Sequence, residues 1–286
     1  MTWLYYAAGS AFFAGITAIL AKVGIKKTDS DLATALRTIV VLLCACFMVK
    51  LVGSYESIYS IDKKTFLFLI LSGVATGASW LTYFKALQLG EVNKVAPIDK
   101  LSTVLTMLLA ILFLGERATT YKVIAMVLIG IGTYMMASKA GKGKKSGNKR
   151  WLFYALLSAV FASLSAILAK VGIDGVESNL GTAIRTAVVL VMSWLIVFLR
   201  GKQKQFQYIT FRSGIYICLS GVTTGLSWLC YYRALQLGEA SVVVPIDKLS
   251  IVLTIAFSSM FLNEHLSKKA FVGLIFIVAG TIFLLL

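Results

Sequence analysis

Two stretches of the chain carry hydroxyl and aromatic side chains on what we expect to be one face of a helix. Ser72, Thr76, Ser79 and Tyr83 are spaced four, three and four residues apart, and this spacing brings side chains to the same side of an α-helix. The same types recur at the same spacing further along the chain, as Ser220, Thr224, Ser227 and Tyr231. Polar side chains within long apolar segments are costly and indicate a cavity or pathway. We therefore predict that these two stripes line a central substrate cavity.

A tryptophan lies beside each stripe, at Trp80 and Trp228. Its ring offers an apolar face and one N–H donor, so we include both residues in the predicted cavity. An alternative is that the hydroxyls only bond to helix carbonyls and that the adjacent GxxxG patterns mark tight helix packing. These patterns are Gly73/Gly77 and Gly221/Gly225. Both interpretations can hold, because the glycines and the hydroxyls occupy different faces.

Two further segments place charge within apolar runs. VAPIDKLSTVLT begins at Val95, and VVPIDKLSIVLT begins at Val243. Each contains a proline, Pro97 or Pro245, which removes a backbone donor and loosens the helix. The residues that share a face with the aspartate complete the predicted cavity lining: Asp99 with Ser102 and Thr106, and Asp247 with Ser250 and Thr254. Each neighbouring lysine points about 100° away, so we expect both aspartates to pair with cations of other helices.

Candidate cations lie near the ends of other apolar runs. We predict two charged clusters, one of Lys22, Arg37, Asp99 and Lys100, the other of Lys170, Arg185, Asp247 and Lys248. Our hypothesis is that each is a salt-bridged gate, broken and remade alternately. Each cluster has three positive charges and one negative charge, so it can also attract anionic groups of a substrate. The alternative for the lysines is that they extend to the lipid headgroups.

The elements that carry these residues are too apolar for a soluble protein. The chain is 59% hydrophobic and only 14% charged, and about 20 apolar residues in a helix suffice to cross a bilayer. Ten apolar runs meet this length: 3–23, 32–51, 65–84, 95–114, 122–138, 151–171, 180–199, 213–232, 242–262 and 270–286. We therefore expect the basic residues behind the net charge of +16 to face the anionic surface of a membrane rather than nucleic acid.

The chain repeats itself at an offset of 148 residues. LSGVATGASWLTYFKALQLGE, from Leu71, returns from Leu219 with 16 of 21 positions identical. We divide the chain into a first copy (1–140), a basic linker (141–150) and a second copy (151–286). Because five runs per copy is an odd number, the copies must enter the membrane from opposite sides. We predict an all-α membrane protein of ten transmembrane helices in two inverted five-helix repeats, a plan of secondary transporters.

The loops also predict an orientation. Sixteen Lys and Arg residues fall on one side of the membrane and about five on the other. The positive-inside rule then places the linker in the cytoplasm and both termini outside.

Nothing in the sequence resembles catalytic machinery. The single histidine, His265, lies in a predicted loop, and Cys44, Cys46, Cys218 and Cys230 lie in predicted helices. Because no nucleophile–base pair or ligand cluster accompanies them, we expect neither an enzyme nor a bound metal or cofactor. Glu116 ends the fourth run, and we expect it to cap the start of the next helix or to meet a linker lysine.

The repeated ALQLGE, PIDKLS and FLGE/FLNE segments resemble the EamA-domain branch of the drug/metabolite transporter superfamily. The likeness covers essentially the whole chain as two tandem EamA units. It implies a carrier of the bacterial plasma membrane that exports an amino acid, metabolite or drug-like compound. We expect a monomer or a homodimer, and the apolar composition argues against a nucleic-acid partner. A lipid-carrier flippase of the same superfamily is the alternative.

Overall fold

The computed structural model describes residues 2–24, 28–89, 95, 98, 101–137, 150–262 and 267–285, and this part of the chain is helical apart from short turns. The helices are α1 (Thr2–Gly24), α2 (Ser30–Val52), α3 (Lys63–Leu89), α4 (Ser102–Phe113), α5 (Thr120–Ala137), α6 (Arg150–Ile173), α7 (Ser178–Leu199), α8 (Phe211–Leu237), α9 (Ala240–Lys248), α10 (Ser250–Leu262) and α11 (Lys268–Phe283). Two 3₁₀ segments, Ser54–Ser60 and Lys202–Tyr208, follow α2 and α7.

Six of these helices are long and apolar enough to cross a membrane, namely α1, α2, α3, α6, α7 and α8, and α4 and α5 are shorter apolar helices. Large apolar side chains remain exposed on them, including Phe47 at 64% and Val191 at 67%. Exposed apolar surface of this kind suits contact with lipid. The ninth apolar run, predicted as one helix, is divided at Leu249 into α9 and α10.

Helices α2 and α7, which are equivalent in the repeat, begin in the same way. The Asp29 carboxylate accepts the backbone N–H of Leu32 at 3.3 Å, and the Glu177 carboxylate accepts that of Leu180 at 3.0 Å. A carboxylate in this position satisfies a donor that the first helical turn leaves unpaired. The repeat in sequence is therefore also a repeat in local structure.

The two helices pack against each other in opposite directions. At one end, Arg200 Nη1, just after α7, lies 2.8 Å from Asp31 Oδ2 in the first turn of α2. At the other end, Ser54 Oγ, just after α2, donates to Glu177 Oε2 at 3.0 Å. Since the start of each helix meets the end of the other, α2 and α7 run antiparallel.

Helices α5 and α11, also equivalent, approach each other through glycines. A Cβ atom on Gly132 would lie 2.5 Å from the carbonyl oxygen of Gly273, and one on Gly273 would lie 2.6 Å from that of Gly132. Further along, Gly280 of α11 faces the carbonyl of Ala125 in α5. Later residues of one helix meet earlier residues of the other, so this pair is antiparallel too.

The longest helices pack mainly across the two copies: α3 on α6 and α7, and α8 on α1 and α2. The GxxxG glycines make the contacts with α7 and α2. A Cβ on Gly73 would lie 2.7 Å from Val188 Cβ in α7, and a Cβ on Gly221 would lie 2.6 Å from Val40 Cβ in α2. The expected tight packing at these glycines is confirmed, with the same geometry in both copies.

Glu116, which follows α4, caps a helix of the other copy. Its carboxylate accepts the backbone N–H groups of Ala240 at 2.6 Å and Ser241 at 3.0 Å, and also the Ser241 hydroxyl. Lys122 of α5 lies 3.7 Å from Glu116 and 2.5 Å from Glu239. The expected cap exists, but on α9 rather than on the next helix, and the lysine beside Glu116 belongs to α5 rather than to the linker. This contact fixes the start of the helix that carries Asp247.

We predict that Gly132→Ala lowers the melting temperature of the purified protein by several degrees. The added methyl would meet the Gly273 carbonyl, and backbone cannot move aside as a flexible side chain can, so we expect a cost of about 1–3 kcal/mol. Gly214→Ala is the matched control, because nothing lies within 4 Å of its Cβ position. Thermal melts in detergent compare the two; equal melting of Gly132→Ala and wild type would contradict the close approach of α5 and α11.

We also predict that Glu116→Ala destabilises the protein. The change leaves two N–H groups at the start of α9 without an acceptor, and loss of a helix cap costs about 1–2 kcal/mol. Glu56→Ala removes an equal charge from an exposed position and serves as the control. The account of Glu116 as a cap fails if both variants melt together with the wild type.

Candidate functional site

A cavity of about 340 Å³ lies between helices of both copies. Its lining is polar, aromatic or small, in contrast to the apolar exterior. The lining residues are Ala14, Thr76, Ser79, Trp80, Ala162, Ser165, Ala166, Arg185, Ser227, Trp228, Tyr231, Tyr232, Asp247, Lys248 and Ser250. The volume falls within the usual range of small-molecule sites, about 300–1,000 Å³.

Serine side chains form hydrogen bonds between the helices that surround the cavity. Ser79 Oγ of α3 donates to the carbonyl of Ser158 in α6 at 3.1 Å, and Ser158 Oγ donates back to the carbonyl of Ser79 at 3.1 Å. On the equivalent pair, Ser227 Oγ of α8 donates to the carbonyl of Ser10 in α1 at 3.1 Å. Such bonds are stable only where the backbones approach closely, which small residues allow. The hydroxyl stripe therefore holds helices together as well as lining the cavity.

Arg185 of α7 is held against the cavity wall by hydroxyls of α3 and α6. Its Nε donates to Ser72 Oγ at 2.7 Å, and its Nη2 donates to Thr76 Oγ1 at 2.6 Å and to Ser165 Oγ at 2.9 Å. The residue is only 4% exposed. A guanidinium bound on two of its three nitrogens has a fixed orientation.

Two aromatic rings of α8 cover the same guanidinium. Arg185 Cζ lies 5.5 Å from the centre of the Trp228 ring and 4.8 Å from that of Tyr232. Distances within about 6 Å allow a cation–π attraction. The remaining nitrogen, Nη1, is buried and has no hydrogen-bond partner among the described residues.

Asp247 is the acidic side chain among the described lining residues of the cavity. Its Oδ1 accepts the hydroxyl of Ser10 in α1 at 2.6 Å, and its Oδ2 lies 3.1 Å from Lys248 Nζ. The prediction that it pairs with a cation of another helix is wrong, because it pairs with the adjacent lysine. Both residues lie within α9, so the angular separation holds for their Cβ atoms, but the lysine side chain is long and flexible enough to bring Nζ back to the carboxylate.

The predicted charged cluster around Asp247 is likewise not joined by salt bridges across helices. Lys170 Nζ donates to the carbonyls of Leu235 and, at 2.7 Å, of Gly238, at the end of α8. A cation there is favoured by the unpaired carbonyls of the last turn. In the other cluster, Pro97, Asp99, Lys100 and the side chain of Lys22 lie outside the described residues. The role of either cluster as a gate stays a prediction.

The structure brings half of the sequence-predicted cavity residues to the cavity and leaves the others beside it. Those at the cavity are Thr76, Ser79, Trp80, Ser227, Trp228, Tyr231 and Ser250. Ser72 instead holds Arg185, and Tyr83 packs against Ala86 and Val95. The hydroxyls of four others donate to a backbone carbonyl about one turn earlier: Thr106, Ser220, Thr224 and Thr254. For these four residues the alternative interpretation, a hydroxyl bonded to its own helix, is correct. Ser102 provides the carbonyl that accepts from Thr106.

The sequence did not predict three residues of the site that have a hydroxyl group, Ser10, Ser165 and Tyr232, or the three alanines of the lining. Ser10 has an identical equivalent, Ser158, on the first helix of the other copy. A systematic comparison of small polar residues conserved between the two copies would have found it. Tyr232 follows directly after the predicted stripe, so helical spacing alone assigned it to another face.

The two arginines that are equivalent in the repeat have different surroundings. Arg37 of α2 is partly exposed and donates no hydrogen bond to a described residue. Thr17, the equivalent of Ser165, bonds instead to Thr223 at 2.8 Å. The equivalent hydroxyl pairs, Thr76 with Ser165 and Thr224 with Thr17, occur in both copies at 2.7 Å and 3.5 Å, so the copies differ in whether the arginine joins the pair. The hydroxyl cradle is therefore formed around Arg185 and not around Arg37.

The described residues contain no group of three or more His, Cys, Asp or Glu side chains that could hold a metal ion. All four cysteines are free. His265 lies outside the described part of the chain. The cavity offers hydroxyls, aromatic rings and three charged side chains, groups that can bind a polar organic molecule.

A model of the EamA-like transporter family matches residues 1–138 and again residues 149–286. An "uncharacterized transporter in cobO 3'region" of Sinorhizobium sp is 44% identical over 137 residues, 48% of this chain and 97% of that protein. An "uncharacterized transporter" of Archaeoglobus fulgidus is 26% identical over 230 residues, 79% of this chain and 78% of that protein. A solved crystal structure has a TM-score of 0.76 at 17% identity and covers 96% of both chains, which shows a shared fold. The chain is thus a multi-pass membrane protein that belongs to the EamA-like transporter family, with two tandem family units, as the motifs predicted.

Proposed function

We propose that the protein is a secondary transporter that exports a small metabolite across a bacterial plasma membrane by alternating access. The observation that carries this proposal is the polar cavity, which is bounded by side chains of both copies within an apolar helical exterior. A site between two halves can be exposed to either side when the halves move against each other.

The proposed architecture is ten transmembrane helices in two inverted repeats, 1–140 and 151–286, joined by the linker 141–150. The antiparallel packing of the equivalent helices α2 and α7, and of α5 and α11, supports this plan. In the proposed orientation both termini lie outside and the basic linker lies in the cytoplasm, as the distribution of Lys and Arg favours.

The unequal surroundings of Arg37 and Arg185 support alternating access. Alternating access by two repeats requires the copies to exchange two conformations. In any single state, one copy then has the first conformation and the other copy has the second. Hydroxyls of α3 and α6 accept hydrogen bonds from Arg185, whereas Arg37 donates none to a described residue and Thr17 donates to Thr223. In the opposite state we expect the cradle to form around Arg37 and to open around Arg185.

Filling the cavity tests the proposal. We predict that cells producing the wild type release one or a few small metabolites into the medium, and that Ala162→Phe abolishes this release because the ring occupies the cavity. Leu156→Phe on the same helix is the control, since Leu156 is 47% exposed and does not line the cavity. Metabolites in the medium are compared by mass spectrometry at equal membrane abundance. If Ala162→Phe releases every metabolite as fast as the wild type and Leu156→Phe do, transport through this cavity is excluded.

Asp247→Asn tests whether the charge at the cavity is needed. The change leaves Lys248 without its carboxylate partner, and we predict about tenfold slower release of the metabolite identified above, equivalent to about 1.4 kcal/mol. Asp174→Asn makes the same chemical change at an exposed position just after α6 and should transport normally. Wild-type rates in Asp247→Asn would show that the ion pair has no part in transport.

A further inference from the structure

We propose that Arg185 binds the carboxylate of the substrate, and that the substrate is an organic monocarboxylate with an apolar or aromatic body and no ammonium group. This inference rests on the proposed transport function, because it assigns the cargo of the same cavity.

Arg185 carries a buried charge that no described carboxylate neutralises. It is 4% exposed and lines the cavity, and its hydrogen-bond partners among the described residues are the hydroxyls of Ser72, Thr76 and Ser165. A buried cation normally has a buried anion beside it. Asp247 lines the same cavity but bonds to Ser10 and Lys248 rather than to Arg185. Since the described residues supply no carboxylate to this guanidinium, we expect the substrate to supply one.

The guanidinium of Arg185 also has a nitrogen whose N–H groups are not used within the described residues. A guanidinium has five N–H groups, and the three hydrogen bonds of Arg185 use Nε and Nη2 only. Nη1 is buried and has no partner among the described residues. The three hydroxyls fix the plane of the guanidinium, so Nη1 is presented in one orientation. Carboxylates accept hydrogen bonds from guanidinium groups strongly and with defined geometry.

The charges of the lining favour a single negative charge on the ligand. Arg185 and Lys248 are cationic and Asp247 is anionic, so the described lining carries one net positive charge. A monocarboxylate neutralises this charge, whereas a phosphate dianion would leave an excess negative charge in a buried site. An ammonium group would need an acceptor, but both oxygens of Asp247 are already engaged, by Ser10 and by Lys248. We therefore expect zwitterionic amino acids to bind less well than simple acids.

The aromatic residues of the lining indicate the chemistry of the rest of the ligand. Trp80, Trp228 and Tyr231 border the cavity, and their rings offer apolar faces to an aromatic or aliphatic body. The Trp228 ring also lies over the guanidinium, 5.5 Å from Cζ, and Nη1 is shielded in this conformation. Because Trp228 is less buried than Tyr232, we expect its ring to turn aside when a carboxylate binds. Binding should then change tryptophan fluorescence.

Matched probes test this assignment on the purified full-length protein. We expect 3-phenylpropionate to bind in isothermal titration calorimetry and to alter tryptophan fluorescence. We expect binding to be at least about tenfold weaker for the neutral 3-phenylpropanamide, the zwitterion phenylalanine and phenylphosphonate at a pH above its second pKa, where it is a dianion. This comparison needs no variant. The proposal is overturned if 3-phenylpropionate does not bind at millimolar concentration, or if any of the other three binds as tightly.

Variants then test whether the preference for the acid over the amide depends on Arg185. Arg185→Gln should bind 3-phenylpropionate and 3-phenylpropanamide equally weakly, while Arg212→Gln, at an exposed position outside the cavity, should keep the preference for the acid. A preference for the acid that survives in folded Arg185→Gln would remove Arg185 from the proposal. Loss of metabolite release in Ala162→Phe is measured separately, so transport through the cavity can stand even if the carboxylate assignment fails.

Discussion

A buried guanidinium that meets no carboxylate among the described residues determines the character of the cavity. Arg185 is oriented by Ser72, Thr76 and Ser165 from two other helices, so its position depends on the packing of α3, α6 and α7 together. In lipid, no water is available to satisfy a polar group that the protein leaves unpaired. The same requirement explains the exchange of hydrogen bonds between Ser79 and Ser158 and the capping of α9 by Glu116.

Close backbone approach is what allows these short polar side chains to reach their partners. Glycines at positions 73 and 221 let α3 and α8 pack tightly on α7 and α2. Gly132 and Gly273 do the same for α5 and α11. Each of these contacts joins the two copies. The interface between the copies is therefore both the main packing surface and the wall of the cavity, and relative motion of the copies must change the shape of the cavity.

The sequence predicted the features that depend on spacing within one helix. The glycine packing of α3 and α8, the membrane-protein class and the transporter family all followed from apolar length, motif and repeat. It did not predict features that depend on the reach of a side chain or on which helix lies opposite. Asp247 pairs with Lys248 because the long lysine side chain reaches back to the carboxylate, and Thr106 and Thr254 donate to carbonyls of their own helices. Ser10 and Ser165 needed knowledge of which helices meet.

The central claim is that one cavity is reached from both sides of the membrane in turn. It is tested most directly by Ala162→Cys in a chain whose four native cysteines have been replaced, labelled with a membrane-impermeant thiol reagent in right-side-out and inside-out vesicles. Alternating access predicts labelling from both sides, with a substrate of the cavity slowing both reactions. Labelling from one side only, under all conditions, would contradict it.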